Sequence, residues 1–136
     1  MKPLWIIITC LLTSVSLSNA ESKGPSKAMI YYTPFWFETY EAITPENIRE
    51  KAKYRFEIND GKKVSALLGL ISDGDKSSMF AKKRVRLLVD LVESKRQIMV
   101  DAEGHVVDGK EERVLKGEKF EQLKNLLSEW VRTNGK

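Results

Sequence analysis

Cysteine and histidine are almost missing from this chain: its 136 residues hold one of each, Cys10 and His105. Zinc and most transition-metal centres draw on several Cys or His ligands, so no such site is expected. A single thiol also leaves no intrachain disulfide, and stability must come from packing. The phosphate-cradling patterns G-x-x-x-x-G-K-[ST] and G-x-G-x-x-G do not occur, nor does a G-x-S-x-G elbow for a nucleophilic serine. Asp73, Asp75 and Ser77 copy the opening of a calcium loop. Its sixth position, however, is Ser78 where glycine is needed, and its twelfth is Arg84 where a bidentate glutamate belongs, so the stretch is read as a polar turn. No metal and no cofactor are expected.

The same scarcity bears on catalysis. Serine nucleophiles work beside a base, usually histidine, and His105 follows Gly104 in a predicted hairpin turn, where a ring pointing to solvent is the expectation. The 19 Asp and Glu residues offer many pairings, but none is distinguished by spacing and most alternate with Lys or Arg on solvated faces. No catalytic residue is assigned and an enzyme is not expected; a small hydrolase working through two carboxylates is the alternative that such a count leaves open.

Long hydrophobic runs are scarce too. The chain opens MKPLWIIITCLLTSVSLSNA, with Lys2 before an apolar run from Leu4 to Leu12 and the small residues Ser18 and Ala20 at the end. This is the pattern of a cleaved secretory signal peptide, with the cut expected after Ala20. A spanning helix needs roughly 20 mainly apolar residues, and polar side chains from Thr9 to Asn19 interrupt this one. Export to a periplasm or the exterior is therefore the expected localisation. Loss of Lys2 with that leader takes the formal charge from +4 to +3. So mild and diffuse a charge does not suit nucleic acid.

Residues 21–27, ESKGPSK, lack apolar periodicity and are read as a flexible lead to a single domain over 28–133. In that domain, aromatic and β-favouring residues at 28–40 predict an edge or bulged strand, because Pro34 cannot donate to a ladder. Thr44 and Pro45 open a short helix over 45–51. KYRFEI at 53–58 alternates as a half-buried strand; Val64, Leu67, Leu68 and Ile71 recur at helical spacing over 61–71, with Asp60 as cap. Residues 72–78 read as a loop. RVRLLVDLVES and RQIMVD form a hairpin with Val85, Leu87, Val89 and Leu91 on one face, and HVVD and ERVL extend it into an antiparallel meander. A helix over 117–132 lines up Phe120, Leu123, Leu127 and Trp130 on one side. The fold class is α+β: one antiparallel sheet with two or three helices, the last of them amphipathic.

What is abundant is aromatic. YYTPFWFETY, residues 31–40, holds six aromatics in ten positions. Strand alternation puts Tyr31, Phe35 and Phe37 on one face, and Tyr32, Trp36 and Tyr40 on the other. Burial in a core is the ordinary use of such residues; a partly exposed set would make the kind of patch enriched at protein interfaces. The basic cluster KKRVR, residues 82–86, reads first as charge guarding an apolar strand against edge association, and alternatively as a patch for an acidic partner. Tyr32, Trp36, Tyr40, Lys82, Lys83, Arg84 and Arg86 are thus the candidate partner-binding residues. The function expected is an exported, non-enzymatic protein-binding module, with an inhibitor or immunity-type protein as one version. An envelope domain binding an anionic polymer or a small apolar ligand is the alternative.

Overall fold

The structure, a computed structural model, describes residues 26–134; the predicted leader at 1–20 and most of the predicted lead at 21–27 lie outside the described residues. The elements are β1 (Ala28–Tyr32), α1 (Ile48–Lys51), β2 (Tyr54–Ile58), α2 (Gly61–Ile71), β3 (Gly74–Lys76), β4 (Val85–Leu91), β5 (Arg96–Asp101), β6 (His105–Asp108), β7 (Glu111–Leu115) and α3 (Gly117–Asn134). All seven strands join one antiparallel sheet in the order β2-β1-β4-β5-β6-β7-β3. The small α+β domain predicted from residue patterning is the fold observed.

Two apolar layers explain the burial pattern. On one face α2 and α3 cover the sheet, and Val64, Leu67, Leu123 and Leu127 pack on Leu87, Val89 and Val100, all of them buried. Trp130 meets Phe56 edge-on at 6.4 Å, which favours the quadrupole geometry of an aromatic pair. On the other face a smaller cluster joins Ile43, Ile48 and Ala52 to Val85 and Leu88. Because β4 is covered from both sides, its apolar residues run nearly without a break, where a half-buried strand would alternate.

Local chemistry sets the ends of these elements. Asp60 caps α2 by accepting the Lys62 N–H at 2.9 Å, as expected of an N-cap carboxylate. At the other end of α2, Arg113 Nε donates to the Ile71 carbonyl at 3.1 Å, placing a cation where the helix dipole is negative. Arg113 also reaches Asp108, which binds Arg96 as well. Those guanidiniums, Arg96 foremost, hold the Asp108 carboxyl below the usual carboxylate range against the opposing pull of burial.

Four readings of the sequence are corrected. The first strand is not an edge strand but pairs with both β2 and β4, and it ends at Tyr32 rather than continuing to Tyr40: Thr33 makes one last bond to Arg86 O, and Pro34 has no N–H to offer. The helix expected over 45–51 is shorter, Ile48–Lys51; Thr44 instead closes a preceding turn, exchanging side-chain hydrogen bonds with Asn47. The polar stretch 72–78 contains β3, whose Asp75 pairs with Val114 in the ladder. Finally, Val85 does not share a face with Leu87, Val89 and Leu91. Register shifts between Val85, opposite Asp101, and Leu87, opposite Val100. This β-bulge leaves Arg86 as the extra residue and turns Val85 to the α1 side.

Candidate docking face

One end of the sheet gathers most of the candidate residues. Tyr32 pairs with Leu87 in the antiparallel ladder, so the chain leaving β1 and the chain entering β4 share that end. The intervening loop is closed at its base by two backbone bonds, Thr33 N–H to Arg86 O at 2.8 Å and Val85 N–H to Ile43 O at 3.0 Å. Ile43 also bridges Arg84. The base of the aromatic loop therefore meets the end of the Lys82–Arg84 turn, although some 40 residues of chain lie between them.

Within that loop the aromatics divide into anchors and presented side chains. Phe35 turns inward, buried against Phe120 at 4.9 Å and 81°. Phe37 lies under the Lys53 ammonium, 4.7 Å from its centroid, while the Lys53 N–H donates to Thr33 Oγ1 at 3.1 Å. With its two neighbours held, Trp36 is left 79% exposed and Tyr40 fully so. At the loop's return, Lys51 and Glu41 form an exposed ion pair of 2.8 Å. That pairing lowers the Glu41 carboxyl and raises the Lys51 ammonium from their ordinary values.

The seven candidates separate by burial. Trp36, Tyr40, Lys82, Lys83 and Arg84 are all exposed at this end, Arg84 in contact with Glu103 at 3.2 Å. Tyr32 and Arg86 are not surface groups: they are 3% and 4% exposed. Tyr32 belongs to the main core, since alternation from Ile30 points it at the helices, and burial pushes its hydroxyl up to about 12. Arg86 is carried inward at the bulge. Lys95 and Arg96, at the far end of the β4–β5 hairpin, take no part, and Arg96 is bound to Asp108.

Sequence reading missed Asp101 as the organiser of this end. Its carboxylate is 1% exposed. One oxygen accepts the N–H groups of Glu103 and His105, and the other accepts the Ala81 N–H and meets His105 Nδ1, all at 2.9 Å. An ionised carboxylate only accepts, so Nδ1 carries the proton. His105 is therefore held against Asp101 rather than pointing freely to solvent. The signal was present: an aspartate followed closely by glycine favours a side-chain-closed turn, and Gly104 sits at a φ of +90°, which L side chains rarely adopt. The tie to Ala81 is non-local and had no signal in the residue pattern.

An open cleft of about 510 Å³ lies beside β3 and β7, lined by Lys76, Lys110, Glu111, Glu112 and Arg113 among others. Its two acids are strand neighbours pointing to opposite faces, and Glu111 is paired with Arg113. Among the described residues no group of three potential metal ligands comes together, and no helix is long and apolar enough to cross a membrane. Compared with known proteins, the chain matches no family model, no curated relative and no solved structure.

Proposed function

We propose that this protein is an exported, non-enzymatic binding module that covers the surface of a protein partner in the cell envelope, as an inhibitor or immunity-type protein would. The observation that carries the reading is the pinned aromatic loop: Phe35 and Phe37 are tied down while Trp36 and Tyr40 are left exposed, on a loop whose return at Ile43 bridges Arg84. Burying a large aromatic in its own core is favourable, so an exposed tryptophan on a fastened loop supports recognition of another surface. Tryptophan, tyrosine and arginine are also the side chains that most often dominate interface energetics.

The test compares wild type with the double variant W36A/Y40A, immobilised and presented with envelope proteins at low and at high salt. The variant is expected to lose partner recovery while its urea midpoint stays put, since surface truncations usually change stability by no more than about 0.5 kcal/mol. Equal recovery by both proteins would reject the reading. Exposed Lys82 and Lys83, consecutive cations in one turn, favour the anionic-polymer alternative as the second reading. Under that alternative binding falls steeply with salt and the lysines, not the aromatics, are required.

A further inference from the structure

Arg86 is a charged group in an unusual position. Its side chain is 4% exposed, Nη1 donates to the Val85 carbonyl at 3.1 Å, and Nε is buried with no acceptor. A guanidinium carries five donors in a rigid fork, and leaving buried donors unmet is costly, more so when they are charged. The carboxylate that offsets its charge, Asp101, is committed to three backbone N–H groups and His105, so it acts on Arg86 only through space. Arg84 adds a like charge.

The placement of this group is as informative as its want of partners. Arg86 is the extra residue of the β4 bulge, and bulges often re-aim a side chain beside a functional site. Its own carbonyl holds one side of the aromatic loop's base, and its guanidinium folds back on Val85, which holds the other. A buried, under-bonded cation thus lies at the foot of the loop that presents Trp36 and Tyr40, two residues along the chain from Arg84.

We infer that Arg86 is the anion-reading anchor of this docking face, receiving an aspartate or glutamate carboxylate of the partner beneath the aromatic loop. The inference rests on the docking reading above and specifies the partner's chemistry. The planar fork suits a carboxylate held by two parallel bonds, and the neighbouring lysines supply charge complementarity to an acidic protein surface. The bonds that join β4 to the loop between Thr33 and Ile43 are at the loop's base, and the partner's carboxylate enters there.

The experiment titrates the full-length mature chain, labelled with nitrogen-15, with an acetylated hexaglutamate peptide and separately with inorganic phosphate. The Arg86 Nε–Hε resonance and Trp36 fluorescence are followed together. The expected result is that the peptide moves both signals at one midpoint, that phosphate moves the arginine resonance only at much higher concentration, and that R86K weakens the peptide by about tenfold or more. A Trp36 response with a stationary Arg86 resonance overturns the inference and leaves the docking face standing. Phosphate acting as well as the peptide, or neither ligand moving Arg86, also overturns it. Because the resonance is read in the wild-type protein, the result does not depend on R86K folding.

Discussion

Replacing Asp101 by alanine removes four hydrogen bonds at once, all of 2.9 Å, and three of them come from backbone N–H groups. Bonds to a charged partner contribute about 1.5–3 kcal/mol each, so simple addition is an upper bound. The turn at Ala102 and Glu103 is partly open to solvent, and water can take over the Glu103 N–H. The Ala81 and His105 groups are less accessible, and they account for most of the expected loss of about 4 kcal/mol. Such a loss is a large part of the 5–15 kcal/mol typical of a domain. Urea unfolding followed by the fluorescence of buried Trp130 measures it. With a slope of about 1.5 kcal/mol/M, the midpoint falls by about 3 M. H105A removes only one of the four bonds at the carboxylate and costs about 1 kcal/mol. D101N falls between, because an amide retains acceptor capacity but cannot accept at all four contacts. A D101A loss below about 1 kcal/mol, or an H105A loss equal to it, refutes the view that Asp101 ties the Lys82–Arg84 segment to the sheet.

Two further outcomes follow from the packing. Burial raises the Tyr32 hydroxyl from 10.0 to about 12, so ionisation is easier in the unfolded chain. The resulting contribution, roughly 2–3 kcal/mol, is fully present below pH 10 and is lost as pH rises through about 12. Alkaline unfolding tracked by tyrosinate absorbance should become shallower in Y32F, and an identical alkaline profile would count against this account. Gly74 sits so close to β7 that an added Cβ would lie 2.4 Å from the Val114 carbonyl oxygen, which is backbone and cannot swing aside. G74A should detach β3 and lower the thermal midpoint by roughly 8 °C or more; an unchanged midpoint with β3 amides still protected from exchange would contradict it.

Particular residues mark where sequence legibility stopped. Val64, Leu67 and Ile71 declare α2, and Asp60 its cap, because a helix is stabilised by groups three or four positions apart. The meander from β4 to β7 was readable for a similar reason: alternation is local to each strand, and Lys95, Gly104 and Gly109, one in each of its three hairpin turns, all take a positive φ. Val85 was misplaced because the bulge that turns it over is decided by pairing with β5 and by the loop base on β1. Phe35, Trp36 and Phe37 looked like alternating strand positions. Their separation into core, surface and cation-bound ring depends on Phe120 and Lys53, which come from α3 and the approach to β2.

By itself, the sequence determined the α+β class, the helices and most strands, since period and turn chemistry are local properties of the chain. Only the tertiary structure decided the candidate site. It buried Tyr32 and Arg86, left Trp36 and Tyr40 outside, and joined the base of the aromatic loop to Arg84. Burial and juxtaposition are set by which distant segments pack together, and no short-range pattern of residues encodes that choice.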